Sequence, residues 1–249
     1  GYVRNCVNLH WNNFHVVREM KHFFPKAEIA AENDANAAAF GEYYRGAGRA
    51  FSSMMLVTLG TGVGGGIVLN GQILSGAHSI AGEIGHVTVY SDEESVCNCG
   101  NHGCVDQFAS ATGIVRYMKK LLAGTEADSV LRGLGKMTAK EICEAADKGD
   151  GLAVKCLDKC LGALGIGLGY FSHAFDPEVY VIGGGVSNAG KIIIESIEKE
   201  YCRHIRLAEK GAVFCIAELG NDAGITGAAL LAGQKDGRAL WRKELFMTK

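Results

Sequence analysis

With 249 residues, 48% of them hydrophobic and 21% charged, the chain is long enough to bury one large core or two modest ones. Its formal net charge of -2 excludes a basic field for nucleic acid or an anionic membrane, and 35 glycines against 2 prolines describe ordered backbone rich in tight turns. Nine cysteines, with no charged-then-apolar leader over residues 1–9, point to a reducing, cytoplasmic compartment rather than a disulfide framework.

Gly1 stands where a Met would open a chain, directly before a strand over residues 1–9, so a truncated start is expected. Residues 11–24 read as a helix. A short apolar run at 27–31 ends at Glu32-Asn33-Asp34, after which 35–45 reads as a helix stopped by Gly46 and Gly48. Residues 54–59 are a buried strand, broken by a glycine-rich turn at 60–66. Segments 67–69 and 72–74 flank Asn70-Gly71, a dipeptide favoured in two-residue hairpins. Helices are expected at 109–122, 139–146 and 152–174. The apolar stretch 161–175 is glycine-rich, too short to span a bilayer, and soon followed by Asp176 and Pro177. A strand at 179–182 runs into Gly183-Gly184-Gly185, Ser187 caps a helix at 188–201, a last strand covers 212–217, and a helix begins at 223. This order of strands and helices is that of an α/β protein. Cys6, Cys143, Cys156, Cys160, Cys202 and Cys215 stand among apolar neighbours and read as small core residues.

Five segments carry chemistry. Gly60-Thr61-Gly62-Val63-Gly64-Gly65-Gly66 exposes successive backbone N–H groups able to wrap phosphate oxygens; without a following Lys-Ser/Thr it is not a P-loop, and a plain hairpin corner is the duller alternative. Asn33-Asp34 at a helix start serves either as an N-cap pair or as a base beside a hydroxyl-binding amide. His86, Cys97, Cys99 and Cys104 have the donor types of a closed tetrahedral zinc site, with His102, inside the turn, as a competing ligand. Glu83 and His86, three apart, either share one pocket or divide between solvent and metal. Gly183-Gly184-Gly185, at the carboxyl end of a strand, suits the second side of a nucleotide cleft.

The order of these segments resembles the ROK family (repressors, open reading frames and kinases), and within it the bacterial glucokinases. The similarity runs through Glu32-Asn33-Asp34-Ala35-Asn36-Ala37-Ala38-Ala39, Gly82-Glu83-Ile84-Gly85-His86, Cys97-Asn98-Cys99-Gly100-Asn101-His102-Gly103-Cys104 and Asn221-Asp222-Ala223-Gly224-Ile225-Thr226-Gly227-Ala228. It implies an actin-like (sugar kinase/Hsp70/actin) two-lobe α/β fold with an incomplete N-terminal lobe. Residues 1–53 would be the remnant of that lobe, and 54–249 the C-terminal lobe with a zinc-binding loop at 86–104. The implied activity is ATP-dependent phosphorylation of a hexose at its 6-hydroxyl, glucose foremost, with Asp34 as catalytic base. Asn33, Asp34, Glu83, His86 and Asp106 would bind the sugar, and His86, Cys97, Cys99 and Cys104 a structural Zn²⁺. Gly60, Thr61, Gly62, Gly64, Gly65 and Gly66 would hold the phosphates of ATP with Mg²⁺, and Gly183, Gly184 and Gly185 the adenosine side. The implied partners are hexose and ATP, with no nucleic acid and no membrane, in a homo-oligomer, dimer or tetramer.

Two departures from the family pattern matter. Asp106 stands where the family has a sugar-binding glutamate, a reach shorter by about 1.5 Å. The family's opening Asp-x-Gly-Gly-Thr phosphate hairpin has no counterpart here, and the chain as it stands is expected to be inactive. Near alternatives are an N-acylmannosamine kinase or fructokinase, and a sugar-sensing repressor, against which the intact loop at 60–66 speaks.

Overall fold

The computed structural model describes residues 1–6, 11–207 and 210–235. Two antiparallel strands, β1 (Val3–Cys6) and β2 (Trp11–Phe14), precede helix α1 (Val16–Phe23). The helix expected over 11–24 is therefore a strand followed by a shorter helix. Asn12-Asn13 are poor helix formers, and the Trp11 and Phe14 rings instead meet at 4.6 Å between centroids. The strand expected over 1–9 is seen at Val3–Cys6; Gly1 and Tyr2 are not part of it, and residues 7–9 lie outside those described.

Helix α2 (Asp34–Arg45) follows a loop rather than a strand, since the apolar run at 27–31 forms neither regular element. Strand β3 (Ser53–Leu59) turns into β4 (Val63–Leu69), and Asn70-Gly71, with φ of 49° and 79°, turns β4 into β5 (Gln72–Ile73). The helix expected over 109–122 is α4 (Ala111–Ala123), preceded by a short α3 (Asp106–Ala109) and divided from it at Ser110. Its backbone is extended there and its side chain caps the Gly113 N–H. Helix α5 (Ala139–Asp147) opens with a capping box between Thr138 and Glu141. Helix α6 (Gly151–Phe175) leads to β6 (Val179–Gly183). Ser187 caps no helix: its hydroxyl donates to Gly184 O at 2.7 Å inside a 3-10 turn (Gly185–Ala189), and α7 (Lys191–His204) starts after Gly190. Strand β7 (Val213–Ile216) and helix α8 (Ala223–Lys235) complete the described chain.

The main sheet has the order β5-β4-β3-β6-β7, with β3, β6 and β7 parallel and β4 antiparallel to β3. Strand β3 is apolar almost throughout because both of its faces are covered. Met55, Val57 and Leu59 point to a core built with α4, α5, α6 and α7, through residues such as Ile114, Ile142, Leu164 and Ile197. Met54 and Leu56 point the other way, to Phe40 and Tyr43 of α2 and Leu230 of α8. Each such side chain contributes about 1.5–3 kcal/mol by leaving water. The result is a three-layer α/β/α sandwich. Cys143, Cys156 and Cys160 lie in it as expected, but Cys202 is exposed on the outer side of α7 and Cys215 is only partly covered. The Cys6 side chain lies outside what is described. Among the described residues no helix, α6 included, is long and apolar enough to cross a membrane.

Helix α2 lies directly on α8. A Cβ on Gly227 would stand 1.7 Å from Ala37 O, and one on Gly41 2.3 Å from Ala223 O, so both positions need the hydrogen that glycine supplies. The carboxylate of Glu42 is fully buried and accepts three backbone N–H groups, from Ala47 at 2.9 Å, Glu218 at 3.2 Å and Leu219 at 2.7 Å. Helix α2, which precedes position 53, is thus packed into the sheet's own layers.

Candidate active site and metal cluster

The amino end of α2 forms one wall of a cavity of about 650 Å³, within the size range of small-molecule sites. Asn33, in extended conformation, caps the helix: its Oδ1 accepts from Ala35 N at 2.9 Å and Asn36 N at 3.1 Å. Asp34, the first helical residue, is exposed, and its Oδ1 accepts from Ala35 N at 2.9 Å. The positive end of the helix dipole faces this carboxylate. Glu32 Oε1 accepts from Asn33 N and from Asn36 Nδ2, both at 3.0 Å. That fixes the orientation of the Asn36 amide and leaves its Oδ1 buried without a partner, the one such side-chain atom found among the described residues.

Asn33 and Glu83 both line this cavity, with Glu32, Asn36, Gly65, His78 and Ser79. Glu32, Asn36, His78 and Ser79 were not singled out from sequence. The first two stand in the Glu-Asn-Asp-Ala-Asn motif, whose i, i+4 spacing already places Asn36 back over Glu32. Asp34, His86 and Asp106 do not line it, Asp34 lying next to its wall at Asn33. His86 ends a 3-10 turn (Ile84–His86) and directs Nδ1 to the cysteines, while Asp106 Oδ1 accepts from Val63 N at 2.7 Å.

A second cavity, of about 550 Å³, lies across the β3-β4 hairpin. Gly60 and Thr61 line it together with Gly185 and Asn188 of the 3-10 turn and Thr138 and Lys140 at the start of α5. Only Gly60, Thr61 and Gly62 form the hairpin tip. Gly64, Gly65 and Gly66 are β4 residues in the ladder opposite Thr58, Val57 and Leu56. Their lack of a side chain serves packing: a Cβ on Gly66 would stand 2.7 Å from Ala35 O, and one on Gly65 2.4 Å from Gly82 O. The glycine run thereby lets α2 and the Glu83 segment lie against the sheet. In the second triplet, Gly183 ends β6, Gly184 adopts φ of 85° against the Leu59 backbone, and Gly185 faces the cavity.

His86, Cys97, Cys99 and Cys104 bring one donor atom each within 4.8 Å of one another. Cys99 Sγ lies 3.7 Å from Cys104 Sγ, and Cys97 Sγ 3.7 Å from His86 Nδ1. A tetrahedron with metal–sulfur bonds of about 2.3 Å has edges of about 3.8 Å, so the four donors are already spaced for one ion. Backbone turns close the loop: Cys97 N donates to Asn101 O at 2.7 Å, Gly100 N donates to Cys97 O at 2.8 Å, and Gly100 and Gly103 have φ of 93° and 66°. His102 is not in the cluster; its Nδ1 lies 3.1 Å from Glu93 O. Within the cluster the Cys104 thiol is pushed up to about 12 by burial and by its sulfur neighbours, and burial raises Cys97 as well.

A mixed α/β/α sheet with a polar cavity on one side of a glycine hairpin and a smaller, apolar-walled cavity on the other is the architecture of an actin-like sugar kinase. The chain belongs to the ROK family, whose model matches residues 1–235. It is 40% identical over 241 residues to a glucokinase of Halalkalibacterium halodurans, covering 95% of this chain and 72% of that protein. Among solved structures it is similar to a ROK family glucokinase from Streptomyces griseus in complex with glucose and AMPPNP. The TM-score is 0.81 at 37% identity, covering 94% of this chain and 77% of that one. A ROK family transcriptional regulator, a homolog of the E. coli MLC protein, gives a TM-score of 0.83 at 28% identity, covering 93% of this chain and 58% of the regulator.

Proposed function

We propose that this protein phosphorylates a hexose at its 6-hydroxyl with ATP, glucose being the preferred sugar. The observation that carries the reading is the pair of cavities flanking the β3-β4 hairpin, in a chain similar over 94% of its length to a glucokinase crystallised with glucose and a nucleotide analogue. Asn33 and Glu83 would hold ring hydroxyls, and the buried, unpartnered Asn36 Oδ1 offers an acceptor at the same wall. Asp34 would accept the proton of the 6-hydroxyl as its oxygen attacks the γ-phosphorus; the bond to the β-phosphate oxygen breaks, and ADP leaves. Backbone N–H groups at the hairpin tip would face the transferring phosphoryl group, where positioning and charge stabilisation provide most of the rate. Mg²⁺ arriving with ATP supplies charge neutralisation. Gly60, Thr61 and Gly185 would border the nucleotide.

His86, Cys97, Cys99 and Cys104 would hold Zn²⁺ as a closed structural site, which supplies folding energy and no open coordination position. His86, if bound through Nδ1, would keep its Nε2–H free as a donor. Free thiols in this number fit a reducing, cytoplasmic setting. Zinc is expected in equimolar amount by elemental analysis of the purified protein, and Cys104→Ser is expected to lose it along with about 3 kcal/mol or more of stability in denaturant titration.

The deciding assay, on a chain that carries the family's opening phosphate hairpin, is ADP release from MgATP with glucose, fructose, mannose, N-acetylmannosamine and N-acetylglucosamine. Sugar-dependent release led by glucose is the expected result. Glucose binding by calorimetry without turnover on any sugar would overturn the kinase reading and favour the sensor class, to which the structural likeness to the regulator already extends.

A further inference from the structure

We propose that Asp106 is a positioning residue for the nucleotide side of the site, locking the tip of the β3-β4 hairpin. The kinetic consequence rests on the kinase reading; the structural one does not.

The hairpin is closed by Gly60 N donating to Gly62 O at 2.9 Å, so the next pair, Leu59 and Val63, faces across a position with no ladder hydrogen bonds. The N–H of Val63 consequently points away from β3, in a residue only 7% exposed. Asp106 Oδ1 accepts it at 2.7 Å. With that oxygen gone, a buried donor is orphaned.

The same corner of the chain fastens the rest of the tip. Ala111 N donates to Gly60 O at 2.9 Å, and Thr112 Oγ1 donates to Thr61 O at 3.0 Å. Ser110 Oγ, donating to Asp106 O at 2.6 Å, ties the corner to itself. Gly60, Thr61 and Val63 are thus each bonded to the segment 106–112, which begins two residues after the cluster ligand Cys104. The sugar cavity is walled by other residues, and Asp106 borders instead a small separate cavity of about 160 Å³ beside Cys97 and Arg116. Size matters as well. A Cβ on Gly62 would stand 3.0 Å from Asp106 Oδ1, so the carboxylate already touches the tip, and a glutamate, longer by about 1.5 Å, would displace it. Since Gly60 and Thr61 line the second, apolar-walled cavity, what Asp106 sets is the aim of the tip's backbone at the nucleotide.

The test uses the intact protein and its Asp106→Ala, Asp106→Asn and Asp106→Glu variants. Amide hydrogen exchange at Val63 reads the clamp without any catalysis. Asp106→Ala is expected to speed it about 10-fold, as loss of one such bond implies. Asp106→Asn, which keeps an acceptor oxygen, is expected to stay near wild type, with β6 amides unchanged in both. In kinetics, Asp106→Ala is expected to raise KM for MgATP about 10-fold and leave KM for glucose within about 2-fold, with rescue in Asp106→Asn. If the alanine variant does not fold, Asp106→Glu decides: displacement of the tip raises KM for MgATP, whereas a sugar contact would lower KM for glucose. Unchanged Val63 exchange in Asp106→Ala, or a rise confined to the glucose KM, overturns the proposal. Absence of turnover in the wild type overturns the kinase reading alone, and the exchange measurement still decides on the clamp.

Discussion

Asp34→Asn is expected to lower kcat for glucose-dependent ADP release about 10³-fold while glucose affinity, read by calorimetry, stays within about 3-fold. The substitution keeps size, shape and an Oδ1 that accepts from Ala35 N, a contact held at 2.9 Å in the wild type, so the first turn of α2 is preserved. Only the capacity to accept a proton is removed. Asn33 provides the internal contrast. Its Oδ1 carries two cap hydrogen bonds, so Asn33→Ala costs about 1 kcal/mol of stability in addition to any sugar contact. A kcat retained within about 10-fold in Asp34→Asn would place the base elsewhere.

Glu42→Gln is expected to cost about 2–4 kcal/mol and lower Tm by about 5–15 °C in a thermal melt, although it changes one atom and one charge. Oε1 accepts from Leu219 N, and Oε2 accepts from both Ala47 N and Glu218 N. An amide satisfies at most one side of this arrangement. Its NH₂ must then face either one or two backbone donors in a position that is 0% exposed. Neither flip works. Glu42→Ala would leave all three donors unpaired and is expected to be worse. An unshifted Tm in Glu42→Gln would mean that water enters the site and the clamp is not needed.

How far the molecule was legible depended on how local each cause is. The Asn33 cap, the Thr138–Glu141 capping box and the Asn70-Gly71 turn are set by residues within four positions of one another, and all were foreseeable as helix starts or turns. Strands β3 and β6 were legible because burial on both faces makes them continuously apolar. The cysteine cluster was legible because a closed loop brings together residues already near in sequence. Trp11–Phe14 was misread because a four-residue strand exists only through its partner β1. Gly64, Gly65 and Gly66 were read as turn because glycine weakens strands, and the reason for them, the close passage of α2 and Gly82, is tertiary. Ser187 has the chemistry of a cap but found a nearer acceptor in Gly184 O. Glu42 gave no signal: inside a helix it resembles any surface carboxylate, and two of its three partners lie 176 and 177 residues away. Asp106 was legible as unusual, but not as a partner of Val63, 43 residues back.

Helix α2 is gripped along its whole length: capped by Asn33, pressed against α8 at Gly41 and Gly227, and anchored by Glu42. A segment so held has no cheap way to loosen alone, because freeing it exposes the Phe40 and Tyr43 face and strips the buried Glu42 carboxylate of its three amide donors together. The carboxylate at its head therefore loses its place only when the sandwich itself opens. Thermal inactivation and loss of helical circular dichroism should then trace one curve, with no intermediate temperature at which the protein is folded but its reactive end has drifted.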